Sequence, residues 1–301
     1  MKSILIISII LWSASSFAGG LGHLGIRSEQ PKIQLDLIGL QVKNPSIDDE
    51  DNTASYVAKP SPAVGLASKI GSYNFDISKT DPSPNSPSYY GFNIGWTGDR
   101  SLFNFGLTQI EGVQLAPKSK RDENSGSIDY SSASLELTFT IIKFRLGLDD
   151  AFDKASHPKS SGGGVIGVLA GNWDRITAKE TIIPHHLQAA YGSDNSIQEG
   201  QFQTIHSQFG WAQNFVLETL YLSFLAVGGP GVSAAKYRVS DQPIDILAHS
   251  NKSSFIGKIG YSSSTAFFTL VSSQTISNSR LRSSWLRRSK SSISANFGMN
   301  F

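Results

Sequence analysis

The 301 residues carry 26 Lys and Arg against 24 Asp and Glu, a net charge of +2, and so near a balance argues against a nucleic-acid partner. The absence of cysteine removes disulfides, thiolate metal sites and a lipid-modified N-terminal Cys together. With 28 Gly, 10% aromatic and only 17% charged residues, the composition suits β structure with many turns, and nothing in it calls for a cofactor.

The chain opens with Lys2, an apolar stretch from Ile4 to Trp12, and small residues at Ser16 and Ala18. This order predicts a Sec-type signal peptide over residues 1–18, cleaved after Ala18 to leave Gly19 first. The apolar stretch is too short to span ~30 Å of hydrocarbon as an anchor. Residues 19–301 then read as one domain, without repeat or linker. Its longest apolar run, Phe215 to Val227, is broken by Glu218, so membrane crossing would have to use strands rather than a helix.

Strands are expected at 32–42, 53–59, 63–77, 88–97, 101–113, 127–147, 163–177, 200–213, 218–239, 252–261, 265–276 and 290–301. The fourth and fifth are the clearest. Tyr90, Phe92, Ile94 and Trp96 share one face against Gly91, Asn93, Gly95 and Thr97. After Gly98-Asp99-Arg100, Phe103, Phe105 and Leu107 repeat the alternation against Asn104, Gly106 and Thr108. Leu135, Leu137, Phe139 and Ile141 oppose Glu136, Thr138 and Thr140; Val165, Leu169 and Trp173 share a face, as do Phe255, Ile259 and Tyr261. Gly228-Gly229-Pro230-Gly231 falls inside a strand, where Pro lacks the ladder donor, and predicts a bulge or bend. A soluble sandwich also alternates. Here, however, the polar face is Asn, Gly, Ser and Thr rather than Lys and Glu, and aromatics gather near strand ends, as a hydrated lumen and interfacial girdles require.

The last strand sharpens the reading. Ile293, Ala295, Phe297, Met299 and Phe301 alternate with Ser292, Ser294, Asn296, Gly298 and Asn300. A terminal aromatic on such a strand resembles the C-terminal signal by which Gram-negative outer-membrane barrels reach their assembly machinery, so Phe297, Met299 and Phe301 are the candidate assembly signal. The connections fit the same scheme. Residues 43–52, 78–87, 114–126, 178–199, 240–251 and 277–289 make long outer loops. Pro60-Ser61-Pro62, residues 98–100, 214–217 and 262–264 make short inner turns, with 148–162 the exception. The expected fold is an antiparallel transmembrane β-barrel of about twelve strands, with ten as the alternative, and both termini in the periplasm.

From about Ile33 onward the chain resembles a bacterial family described only as a domain of unknown function. Pro60 through Leu66, the Gly91-Phe92 strand, Ile182-Ile183-Pro184 and Gly228 through Gly231 carry the resemblance. It implies an outer-membrane barrel over most of the mature chain and brings no catalytic residues with it.

Candidate chemistry is sparse. The His-Asp-Ser-Asn-Gly run associated with outer-membrane phospholipases is absent, and His206-Ser207 places its two side chains on opposite faces of a strand. His185-His186 falls in the longest outer loop, where solvated side chains are expected. Glu136 is the candidate lumen charge, able to plug the barrel or set ion preference if an inward base meets it. Lys143 and Arg145 fall in the lipid-facing register near a strand end, where they would snorkel or be turned inward by a bulge. Arg280, Arg282, Arg287, Arg288 and Lys290 form a basic cluster at the last outer loop, suited to lipopolysaccharide phosphates. The first reading is a non-enzymatic cell outer-membrane barrel, a narrow channel for a small solute or a structural envelope protein, among outer-membrane lipids. The alternatives are a lipid-acting hydrolase and a soluble exported β-sandwich. N-terminal sequencing of the envelope form is expected to begin at Gly19; a mature chain still beginning at Met1 would overturn the signal peptide.

Overall fold

The computed structural model describes residues 26–43, 54–57, 61–70, 72–80, 88–98, 100–113, 127–144, 158, 160–183, 185–264 and 266–299. They form one antiparallel sheet: β1 (Ile26–Lys43), β2 (Ala54–Val57), β3 (Ser61–Ile70), β4 (Tyr73–Lys79), β5 (Ser88–Thr97), β6 (Ser101–Val113), β7 (Ile128–Phe144), β8 (Gly162–Ala178), β9 (Ile197–Leu217), β10 (Leu220–Val239), β11 (Gln242–Ser262), β12 (Ala266–Arg280) and β13 (Trp285–Met299). From β3 to β13 each strand pairs with the next, and β13 pairs with β1 from Lys32 opposite Asn296 to Lys43 opposite Trp285. The sheet is therefore a closed barrel, which excludes the two packed sheets of a sandwich. Among the described residues no helix is long and apolar enough to cross a membrane.

β2 and β3 both lie against β1, the first along Gly39–Val42 and the second along Ile26–Asp36. They make one interrupted stave, so the ring has twelve. The expected strand 63–77 is instead a hairpin of β3 and β4, closing where Ile70 faces Tyr73. Ser61 and Pro62 of the expected inner turn lie in β3 instead, and Pro60 lies outside the described residues. Proline removes ladder donors and so imitates a turn in the sequence, whereas a tight hairpin inside continuous alternation leaves little trace. One false turn and one missed turn cancel, and every later strand keeps its expected direction.

Two outer loops are much shorter than expected. Val239 faces Gln242 across Ser240 and Asp241, whose φ angles of 46° and 65° are those of a primed two-residue turn. The segment 277–289 shrinks likewise to residues 281–284 between β12 and β13. β9 and β11 each run 21 residues, about 70 Å of strand at ~3.3 Å per residue, or about 50 Å of height at a typical ~40° tilt. That is about twice the ~25 Å apolar band of a membrane barrel.

The two storeys have opposite polarity. Along β9, Phe202 points inward between exposed Gln201 and Gln203; one turn of the pleat further down, Ile205, Phe209 and Trp211 are exposed while Thr204, His206 and Gln208 are buried. Along β10, buried Ala235 and Tyr237 alternate with exposed Lys236 and Arg238, then exposed Val232 and Leu222 with buried Ser233 and Ser223. β13 repeats it, with Leu286 inside and Arg287 outside above, Ile293 outside and Ser292 and Ser294 inside below. One inner patch departs from the rule: Ile166, Val168, Ala170, Ala212, Leu225 and Val227 pack together on the lower wall.

The Gly228–Gly231 segment stays in β10 and pairs with β11 throughout, but its pairing with β9 lapses between Gly228 opposite Phe209 and Gly231 opposite His206. The backbones crowd there: a Cβ on Gly229 would lie 2.0 Å from the Ser207 carbonyl oxygen. Gly229→Ala is expected to destabilise the barrel by about 1–3 kcal/mol, as overpacking does, and to lower the midpoint of its heat-modified gel shift. Gly171→Ala, whose Cβ would meet nothing nearer than the Trp173 ring at 3.6 Å, should leave that midpoint unchanged.

Candidate functional site

The outer mouth is filled from above. Between β8 and β9 the chain turns into the barrel, Ile182 N–H donating to the Ile197 carbonyl at 2.6 Å, and then forms a 3-10 helix, His185–Asp194, kinked at Gly192 (φ 53°). Ile182, Ile183, Leu187 and Tyr191 of this segment are buried among Val42, Ile110, Ile128, Ile176, Phe202, Ala235, Tyr237 and Leu286. Each fully buried Leu, Ile or aromatic side chain contributes about 1.5–3 kcal/mol, so the segment is held by its own apolar residues. The Tyr191 hydroxyl reaches across to the Val42 carbonyl at 2.5 Å. Asp194, fully buried, accepts from Tyr237 Oη (2.9 Å), Ser283 N (2.8 Å), Ser283 Oγ (3.0 Å) and Ser284 Oγ (2.8 Å), tying the helix end to the β12–β13 turn. The longest outer loop is thus an inward cap. His185 and His186 contribute its first residues; the placement of their side chains lies outside the described part.

Beneath the cap the barrel is braced from wall to wall. Asp174 of β8 pairs with Arg288 of β13, both buried, five staves apart in a ring of twelve. Asp174 also accepts from Tyr130 Oη at 2.8 Å and Ser132 Oγ at 2.6 Å, while Arg288 donates to Ser279 Oγ at 2.7 Å and Ser277 Oγ at 3.2 Å. Glu136 of β7 meets Lys252 of β11 at 3.4 Å. A cavity of about 230 Å³ lies beside these pairs, lined by Tyr130, Glu136, Asn172, Lys252, Thr275 and Lys290 among others. Buried Lys252 and Arg288 would be costly alone; the acids opposite them make their burial tolerable.

His206 points into this layer and Ser207 away from it. The histidine meets a serine that spacing along one strand does not reveal: its Nε2 lies 2.9 Å from Ser250 Oγ on β11. Both residues are fully buried, and the Ser250 hydroxyl donates to the Asn278 carbonyl at 2.8 Å. A nucleophile needs access and an oriented base. This pair has neither, since His206 Nδ1 meets no carboxylate or other partner.

The basic cluster of the last hairpin does not stay together. Arg280, Arg282 and Arg287 are exposed, whereas Arg288 is buried in the brace and Lys290 lies over the Tyr89 ring at 5.9 Å, beside the inner cavity. Parity decides this: residues 288, 290, 292, 294 and 296 share the lumen row. Asp174 escapes a sequence search because it sits between two outward residues, Trp173 and Arg175, and only its inward parity marks it. Lys143 is exposed near the end of β7, below a register shift between Thr140 and Ile142 that takes Ile141 out of the simple alternation. Phe297 faces Phe268 of β12. Arg145 and Phe301, and the side chain of Met299, lie outside the described residues, as does the whole segment 1–18.

No family model matches the chain and no curated protein does, so the resemblance drawn from Pro60 through Leu66 and the Gly228 segment has no matching family behind it. Among solved structures the chain is similar to the outer membrane protease OmpT of Escherichia coli, at 7% identity over 91% of this chain and 96% of that one, with a TM-score of 0.44. It is similar also to the toluene transporters TodX of Pseudomonas putida (9% identity, 91% and 89% covered, TM-score 0.30) and TbuX of Ralstonia pickettii (10%, 90% and 89%, 0.31). The superpositions are loose and the identities low. The barrel rests on this chain's own strand pairing.

Asp174→Ala should strand the Arg288 charge in the interior and cost about 3–5 kcal/mol in urea unfolding from detergent micelles. Asp174→Leu combined with Arg288→Met should recover most of that loss; a single variant as stable as the parent would show the brace to be energetically idle.

Proposed function

We propose that the chain is an outer-membrane β-barrel whose interior is shut, a structural envelope protein rather than an open pore. What supports membrane residence is the outer surface of the lower storey. Tyr90, Trp96, Leu107, Leu137, Trp173, Phe209, Leu222, Phe255 and Phe268 are all exposed there, a continuous apolar belt far beyond the few hundred Å² that soluble monomers present. The belt ends where the outward rows turn to Gln, Lys and Arg, as a lipid boundary would demand. In this reading Arg280, Arg282 and Arg287 are the part of the basic cluster presented to lipopolysaccharide phosphates, and the strand through Phe297, Met299 and Phe301 is the assembly signal.

The observation that favours a shut barrel over a narrow channel is the apolar cap, whose partners come from β1, from each strand β5 to β11, from Leu281 in the β12–β13 turn and from β13. A hydrolase is not favoured, because the Ser250–His206 pair is buried and unoriented. Reconstituted into planar bilayers, the protein should give no steady conductance. Replacing residues 185–194 by a Gly-Ser linker should bring conductance steps into view. Steady ion flow through the unaltered chain would sink the shut-barrel reading, and release from membranes without detergent would sink the membrane reading itself.

A further inference from the structure

At the top of the apolar belt the outer wall carries a furrow. Two cross-strand rows define it. The lower runs Phe92, Leu107, Ala133, Trp173 and Gln203 through β5 to β9; the upper runs Tyr90, Gln109, Ser131, Arg175 and Gln201. On β7 both members are small, Ala133 and Ser131, while β6 and β8 on either side carry large side chains. The flanking strands stand two sheet spacings apart, roughly 9–10 Å, so the small pair leaves a trough about one hydrocarbon chain wide. Leu135, exposed on β7, is the next outward residue below Ala133. The resulting concavity measures about 390 Å³, within the range of ligand-sized clefts.

The rim supplies a charge. Arg175 is exposed directly above Trp173, with Ser131 and Gln201 as its cross-strand neighbours. No carboxylate pairs with it among the described residues. The acids one row higher are engaged elsewhere: Glu111 accepts from Gln109 Nε2 at 2.8 Å, Asp129 from Gly112 N–H at 2.9 Å, and Glu199 pairs with Arg238 at 3.5 Å. A guanidinium with no carboxylate partner among the described residues, beside side-chain amides and above an aromatic-walled apolar trough, matches a lipid with a phosphate at its head and acyl chains below.

We propose that this furrow on β6–β8 holds one phosphate-bearing lipid of the outer leaflet, its phosphate on Arg175 and an acyl chain along Ala133 between Leu107 and Trp173. The proposal rests on the membrane reading above and adds a built lipid site on the wall to the exposed arginines of the last hairpin.

The test uses the full mature chain reconstituted in phosphatidylcholine vesicles containing lipid A as a minor component, then released in mild detergent and weighed by native mass spectrometry. The parent should retain lipid A and should retain dephosphorylated lipid A about tenfold less. Arg175→Ala should lose retention by a similar factor, Arg175→Lys by less, and Ala133→Phe, which fills the trough, should lose it with Arg175 in place. Arg100→Ala, at an exposed position just before β6 at the opposite end of that strand, should behave as the parent. Equal retention by parent, Arg175→Ala and Ala133→Phe overturns the furrow, as does indifference to dephosphorylation. Failure of the chain to enter vesicles of any composition would instead overturn the membrane reading, so the two failures are told apart.

Discussion

An open sheet leaves a row of unpaired backbone donors and acceptors at each edge, and the pairing of β13 with β1 removes both edges at once. Twelve paired residues join the two ends of the sheet, from Lys32 with Asn296 to Lys43 with Trp285. Once the ring is closed, alternation has only one meaning on every stave: odd positions of β8, β9 and β13 look out and even positions look in. Buried Asp174, His206 and Arg288 and exposed Trp173, Phe209 and Ile293 all follow from the same parity. The crowding of β9 against β10 at Gly210, Gly229 and Gly231, where a Cβ would strike backbone carbonyl oxygen, belongs to the same constraint, since a closed ladder cannot splay to make room.

The reversal of polarity along the long strands explains why this interior differs from a plain water-filled lumen. In the lower storey the outside is apolar and the inside carries Thr, Ser, Asn and Gln. In the upper storey the inside is Ile110, Ile128, Ile176, Phe202 and Tyr237, and the cap completes it as a core. The upper storey is organised like a soluble barrel, stabilised by burial; in the membrane reading proposed above, the lower one is stabilised by pairing and by lipid. Between them lies a layer of charge, Asp174 with Arg288 and Glu136 with Lys252.

Much of the fold is legible in the residues, because apolar rows such as Tyr90–Trp96 and Phe103–Leu107 and the closing row through Phe297 have a strict period of two. The upper parts of β11, β12 and β13 are not, because Asp245 and Arg287 outside and Ile244, Ile246 and Leu286 inside reduce the contrast that marks a lipid-facing strand. Residues 242–251, 277–280 and 285–289 read as loops. The interior was legible one residue at a time: the inward side of Glu136 follows from parity, but Lys252, 116 residues away, does not. Nor does Arg288, which local sequence groups with the exposed arginines beside it, or Ser250, the partner of His206. Cross-lumen partners depend on ring geometry, and a linear pattern carries no information about which staves face each other.

The brace also says something about order in time. Asp174 and Arg288 are 114 residues apart, and Tyr191 and the Val42 carbonyl 149, so neither contact gains from local chain proximity. Loop closure over such separations is entropically expensive and late. A chain whose final hairpin has not yet docked therefore holds Asp174 without its cation and the 185–194 helix without the turn that Asp194 grips. The interior becomes rigid only when the last stave arrives, which makes the buried ion pair a record of completed closure rather than a guide to it.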